Sequence, residues 1–280
     1  MKVEQVKHVE VEAGRLEYSV SGHADAPALL LLHAIRNTRH LFTSLLPELA
    51  KHYRVVAVDL RGHGNSTDRG PFTFERIVDD LACLLEQEGL SQVTIVAASF
   101  SAVPAQMLAV REPQRIASLV LLDGGYYSLG AMPGFEHDPT VERLSSTRFQ
   151  TVEEAERRFA KRYGGRKLPA GWMSTELVRK EDGGFGYRLP REAFDGYFHQ
   201  YATYDLDELC RQLTCPVLLL LADENHLPDE AQRPFFREAV AKYRSAVPQA
   251  QVRTIANSLH LLMVTHPDET VNEINLFLHR

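Results

Sequence analysis

Cysteine is scarce: three residues in 280, Cys83, Cys210 and Cys215, an odd number without metal-ligand spacing. They fall in apolar or near-strand segments rather than in a disulfide framework, which fits a reducing, cytoplasmic compartment. No stretch approaches the roughly 20 apolar residues that a membrane span needs. The N-terminus, Met1 to Lys7, mixes charged and apolar residues and has no apolar block of the kind a signal peptide carries. An excess of basic charge is missing as well. With 31 Lys and Arg against 37 Asp and Glu, the formal charge is −6, so no uniformly basic field exists to neutralise nucleic-acid phosphates. Membranes and nucleic acids are thus disfavoured as partners, and a small molecule is the expected one. No cluster of His, Cys, Asp and Glu has zinc-like spacing, and neither a metal nor an organic cofactor is expected.

What is present is enough apolar material for a sizeable core, 44% of the residues, with 24% charged. The length fits one large domain or a core carrying an insertion. Residues 5–12 and 15–21 alternate weakly around Ala13-Gly14, the pattern of an edge hairpin. Ala28–Leu32 is a short solid apolar run, as in strands covered on both faces. Leu41, Leu45, Leu46 and Leu49 predict a helix over 38–51. Strands at Arg54–Val58, Gln92–Val96 and Ala117–Leu122 then alternate with helices over Phe74–Glu88 and 101–112. Strict alternation predicts an α/β fold with a mostly parallel sheet flanked by helices and joined by right-handed crossovers.

The alternation stops between Tyr126 and about Leu213, where charge, glycine and aromatics rise and amphipathic helices are expected near Val152–Tyr163 and Arg191–Tyr201. We read residues 126–213 as a small, mainly helical cap inserted into a core made of 1–125 and 214–280. In the core's second part a strand at Pro216–Leu221, a helix over about Asp229–Ser245, a strand at Gln251–Ile255 and a helix at Pro267–Leu278 complete the pattern. Gly183-Gly184-Phe185-Gly186 lacks a preceding strand and a following helix, so it reads as an exposed turn rather than a phosphate loop.

Ligands of open parallel sheets bind at the carboxyl ends of the strands. Four such ends carry informative residues: His33-Ala34-Ile35-Arg36-Asn37, Asp59 to Ser66, Ala97-Ala98-Ser99-Phe100-Ser101, and Asn257-Ser258-Leu259-His260. A serine on a strand-to-helix turn between small residues, with a histidine after the last strand, is what nucleophilic acyl chemistry needs.

At these residues the chain resembles the α/β-hydrolase superfamily, over nearly its whole length apart from the insertion. Asp59-Leu60-Arg61-Gly62-His63-Gly64-Asn65-Ser66 is similar to that superfamily's D-x-R-G-x-G-x-S turn, in which the aspartate is structural. The resemblance implies Ser99 as nucleophile in a G-x-S-x-G elbow whose glycine positions hold Ala97 and Ser101; the bland alternative is an inert turn serine. It implies His260 as base, and backbone amides of Phe100 and Ile35 as oxyanion hole, with Ala34 where glycine is usual. The acid stays open. The usual position, after Val217–Leu221, holds Asn225. In some branches, certain haloalkane dehalogenases and cofactor-free dioxygenases among them, the carboxylate follows the earlier strand, which here is Asp123. Asp223 or Glu224 through a shifted turn, or a dyad with no carboxylate, are the alternatives.

Arg36 and Arg39 lie near enough to the pocket mouth to meet an anionic group, unless they are solvated or paired. Tyr126 and Trp172 are candidate substrate contacts among cap aromatics that otherwise pack the cap onto its core. His199 and His226 carry no signal beyond that of ordinary histidines. The resulting expectation is an enzyme, a serine hydrolase of a small ester, thioester, lactone or related carbonyl substrate. Two alternatives stand beside it: a cofactor-free dioxygenase or lyase using His260 and Asp123, and a silent small-molecule-binding protein.

Overall fold

The computed structural model describes residues 4–166, 168–169, 171–227 and 230–279, without the side chain of His226. Among the described residues ten strands form: β1 (Gln5–Val11), β2 (Gly14–Ser21), β3 (Ala28–Leu32), β4 (Arg54–Val58), β5 (Val93–Ala98), β6 (Ile116–Leu122), β7 (Leu177–Arg179), β8 (Phe185–Tyr187), β9 (Val217–Leu221) and β10 (Ala250–Thr254). Eight of them make one sheet in the order β1-β2-β4-β3-β5-β6-β9-β10. β1 and β2 pair antiparallel, as do β2 and β4; from β4 to β10 every neighbour is parallel.

The interior strands are solid apolar runs because both faces are covered. Alternate side chains of β3 and β4 go opposite ways. Leu30, Leu32, Val56 and Val58 join one buried cluster, and Leu29, Leu31, Val55 and Ala57 join the other. The first face is covered by α2 (Phe74–Gln87) and α3 (Ala102–Arg111), the second by α1 (Leu46–His52) and the C-terminal helices. α2 shows how the sequence sets a boundary. Thr73 Oγ1 accepts the Arg76 N–H at 3.1 Å, Ile77, Val78, Leu81, Leu84 and Leu85 turn inward, and Gly89 follows at φ 61°.

The helix expected over 38–51 is broken into a 3₁₀ turn, Arg39–Phe42, and α1. Pro47 explains the break: it fits the first turn of a helix but not its interior, where its ring displaces a hydrogen bond.

Between β6 and β9 lie α4 (His137–Ser145), α5 (Val152–Arg162), α6 (Trp172–Glu176), the β7–β8 hairpin, α7 (Arg191–Thr203) and α8 (Leu206–Arg211). The hairpin is the strand component of this mainly helical segment. Its turn contains Gly183, at φ 86°, so the glycine-rich stretch closes a hairpin. α9 (Arg233–Ala246) follows a 3₁₀ turn at Glu230–Gln232; Asp229, where this helix was expected to begin, lies outside the described residues. α10 (Leu262–Thr265) and α11 (Pro267–Leu278) end the chain. No helix among the described residues is long and apolar enough to cross a membrane.

The 59–66 turn is held together by its own motif residues. Asp59 takes the Arg39 backbone N–H at 2.7 Å and its guanidinium at 2.5 Å. Ser66 Oγ donates to the Asp59 carbonyl, and a Cβ on Gly64 would lie 2.1 Å from the Asp59 carboxylate, which is why glycine stands there. Arg61 is fully buried and donates two bonds of 2.8 Å to Asp80, with further bonds to the carbonyls of Arg69 and Glu12. The turn also receives α7: Tyr197 Oη donates to the Arg61 carbonyl at 2.9 Å.

Removing one partner of a buried, bidentate ion pair strands the other charge. Asp80→Ala is therefore expected to lower unfolding free energy by about 3–5 kcal/mol, read from urea denaturation; a loss under about 1 kcal/mol would contradict this account of the turn.

Candidate active site

β5 ends at Ala98, and Ser99 sits at φ 57°, in the left-handed region that a residue with a side chain adopts only when its surroundings enforce it. Ala97 and Ser101, at the usual glycine positions, are fully buried. The Ser101 hydroxyl lies 3.0 Å from the carbonyls of both Leu32 and Ala98, so it fastens the turn to β3. The tightest approach is elsewhere. A Cβ on Gly124 would lie 2.2 Å from the Ser99 carbonyl oxygen.

His260 follows β10 and stands between two side chains. Its Nε2 is 3.0 Å from Ser99 Oγ, and its Nδ1 is 2.7 Å from Asp123 Oδ2. A carboxylate at Nδ1 assigns the proton there and leaves Nε2 to accept from the serine hydroxyl. Asp123 follows β6 directly at φ 50°, and its other oxygen accepts the Ala222 N–H at 3.1 Å. Its oxygens are thereby aimed by the next strand's end as well as by its own backbone.

The other acidic candidates are engaged differently. Asp223 accepts the N–H groups of Asn257, at 2.7 Å, and Asn225, at 2.9 Å, while its own N–H donates to Ser258 Oγ. It braces the loop that carries His260 and is not bonded to the imidazole. Glu224 pairs with Arg237. Asn225 lines the cavity, and its N–H serves the Asp223 cap.

Ser99, His260 and Asp123 share the wall of a cavity of about 1020 Å³ with Ile35, Phe100, Arg36 and Tyr126. Neither the Ile35 nor the Phe100 N–H donates to a turn or loop acceptor among the described residues. His33 fixes the Ile35 loop: its Nδ1 bonds to the Ala34 carbonyl at 2.9 Å and its Nε2 accepts the Leu60 N–H at 3.0 Å. Burial holds the His33 imidazole down near 4, so it stays neutral in that role. Ala34 causes no distortion of its own; the left-handed residue in this loop is Arg36, at φ 72°. Among the described residues no group of three or more His, Cys, Asp and Glu is arranged to hold a metal ion.

One expected substrate contact is corrected, and one arginine takes its paired alternative. Trp172 does not line the cavity; it is buried against Phe159, ring centroids 4.9 Å apart, as part of the packing beneath α5. Arg39 is consumed by Asp59 and Glu17. His199 faces His137 instead of the cavity, and the side chain of His226 lies outside the described residues.

Gln106, Gly124 and Glu176 were not singled out by the sequence. Gln106, fully buried on α3, donates to the Gly125 carbonyl at 2.8 Å and so ties down the loop that carries Asp123. A lone glutamine on an apolar helix face was the only sign of it. Glu176, at the end of α6, is buried and accepts from Asn37 Nδ2 at 2.7 Å, joining the residues after β3 to the segment above. Burial pushes its carboxyl up to about 8, against the smaller opposing effects of the Asn37 bond and the Arg36 charge.

Comparison with known proteins gives this geometry a family. Residues 27–267 match the model of the alpha/beta hydrolase fold. The chain belongs to the α/β-hydrolase superfamily, and it is a hydrolase of that fold. It is 25% identical over 272 residues to 2-(acetamidomethylene)succinate hydrolase of Mesorhizobium japonicum, covering 96% of this chain and 94% of that one. A crystal structure of E-2-(acetamidomethylene)succinate hydrolase superposes with a TM-score of 0.82 at 22% identity, covering 99% of this chain and 100% of the other, which is a likeness of fold. Proline iminopeptidase PfmaB of Pestalotiopsis fici is 33% identical over 152 residues, about half of each chain, 52% of this one and 51% of that one.

Two measurements probe the site's supports. Gly124→Ala drives a methyl into the Ser99 carbonyl, so it is expected to cost at least about 1–3 kcal/mol in thermal unfolding, with loss of hydrolase activity; an unchanged variant would refute the close approach. Glu176 has its folded pKa raised from the ordinary 4.5 to about 8. Its contribution to stability is fully present below pH 4.5, and it is lost as pH rises through about 8, because only the unfolded carboxyl ionises in that window. Stability is expected to fall by on the order of a few kcal/mol between pH 5 and 9, and Glu176→Gln should flatten that part of the profile.

Proposed function

We propose that the protein is a serine hydrolase of a small ester, thioester, lactone or related carbonyl compound, with Ser99 as nucleophile, His260 as base and Asp123 as the orienting acid. The observation that carries this reading is the continuous hydrogen-bonded path of 3.0 Å and 2.7 Å from Ser99 through His260 to Asp123, on the wall of a cavity. The succinate-derivative hydrolase that this chain is similar to over nearly its full length bears a name in keeping with a small carbonyl substrate.

As Ser99 Oγ forms its bond to the carbonyl carbon, its proton passes to Nε2 of His260. The Asp123 carboxylate stabilises the imidazolium through Nδ1–H. The carbonyl electron pair moves onto oxygen, where the amides of Ile35 and Phe100 receive it. Collapse breaks the bond to the leaving group, which takes the proton from Nε2. Water then repeats the sequence against the acyl-serine, giving its proton to Nε2, and the acid is released with Ser99 restored. The segment 126–213 acts as a cap over this chemistry, and Tyr126 and Arg36 contact the substrate. A cytoplasmic setting accords with three free cysteines.

A fluorophosphonate probe tests the reading. We expect one adduct, on Ser99, absent from Ser99→Ala and His260→Ala. Asp123→Asn should lower kcat by about 10³-fold or more, whereas Asp223→Asn should act chiefly on thermal stability. Failure of the native protein to label, or full turnover by Asp123→Asn, would sink the assignment.

A further inference from the structure

The cavity's charge runs against that of the chain. Although the whole protein carries −6, the cavity wall presents five arginines, at 36, 143, 162, 237 and 244, and three acids. Each acid is already occupied: Asp123 by His260, Asp223 by the amides of Asn225 and Asn257, and Glu224 by Arg237. Arg36, Arg143, Arg162 and Arg244 form no ion pair among the described residues.

Three of those four side chains are exposed at the rim, where water screens them. Arg36 differs. It is half-buried, and its left-handed backbone follows Ile35 directly. Its guanidinium lies over the Tyr187 ring, 5.0 Å from the centroid, and donates to Tyr187 Oη at 3.2 Å. A guanidinium has five N–H donors in a fixed planar fork, so this anchor leaves most of them unengaged. The nearby acid, Glu176, does not neutralise it, since burial keeps that carboxyl protonated at neutral pH. Tyr163, with the Arg162 guanidinium 6.0 Å from its ring centroid, lines the cavity as well. Tyr126, Tyr127, Leu129 and Phe236 add apolar lining to the cavity.

We infer that Arg36 is a specificity-determining residue that binds a carboxylate on the substrate, so that the enzyme prefers carbonyl compounds bearing a second, ionised acid group near the reacting carbonyl. This rests on the proposed hydrolase reading for its chemistry, but the anion site itself can be measured without turnover. A fork-shaped donor held against an aromatic ring suits the two oxygens of a carboxylate, and its place beside the Ile35 amide sets that carboxylate close to the carbonyl under attack.

The test uses monomethyl glutarate against methyl valerate, an ester pair matched in length, with acid release followed by pH-stat, and glutarate binding to Ser99→Ala by calorimetry. The native enzyme should favour the charged ester by about tenfold or more in kcat/KM, and Arg36→Asn, a residue that tolerates the left-handed backbone, should reduce that ratio by about tenfold. Arg36→Lys should restore part of it. Tyr187→Phe, which frees the guanidinium without removing it, should raise KM for the charged ester more than it lowers kcat, and it serves if Arg36→Asn does not fold. Glutarate should bind Ser99→Ala and bind at least about tenfold more weakly when Arg36→Asn is added. A native ratio at or below one, a ratio indifferent to Arg36, or no glutarate binding overturns the inference. Glutarate binding that depends on Arg36, in a protein that cleaves neither ester and takes no probe, would uphold the anion site and sink the hydrolase reading.

Discussion

The backbone of Ser99 is held in a conformation that a side-chain-bearing residue adopts only under constraint, and the surrounding architecture is arranged to enforce it. Parallel β5, buried on both faces, delivers the residue to the sheet's carboxyl edge. The Ser101 hydroxyl fastens the turn to β3, and Gly124 lets the loop after β6 come within contact of the same peptide unit. The loop that crowds Ser99 is the one that presents Asp123, so the serine and the carboxylate are fixed against each other before the imidazole enters. His260 arrives from a third strand end, and it is held there by Asp223 and Ser258.

Left-handed backbone is concentrated around this cavity. Of six described non-glycine residues with positive φ, Arg36, Ser99 and Asp123 line it, and Asn257 opens the turn to His260. Each costs local free energy, which the large buried core on both sides of the sheet offsets. The fold's stability and the site's geometry are therefore separable in sequence: the first resides in solid apolar strands, the second in the few residues directly past their ends.

That separation explains what was legible. Solid runs such as Ala28–Leu32 and Val217–Leu221 announce a covered parallel sheet, and the 59–66 turn carries its stabilising contacts in its own letters. Ser99 and His260 were readable from their places after β5 and β10. The partner of the imidazole was legible only as a first choice, Asp123 before Asp223 or Glu224, because all three follow strands at the same edge and only three-dimensional aim distinguishes them. Trp172 misled for the reverse reason: residue type suggested contact with a ligand, while packing against Phe159 absorbed it; Arg39 took its paired alternative with Asp59. Gln106 and Glu176 left almost no trace, since a buried polar side chain is recognisable only by the partner it meets across the fold. The helix over 38–51 failed at Pro47, where a local rule overrules the leucine spacing.

The bond from Tyr197 to the Arg61 carbonyl ties α7, whose Phe198 and Tyr201 line the cavity, to the 59–66 turn. Separating the two there would strand a buried carbonyl and expose the aromatic surface of Tyr197. The same cavity wall includes Arg143 of α4 and Arg244 of α9, both exposed and neither in an ion pair among the described residues, so an ion arriving there from solvent meets positive charge first.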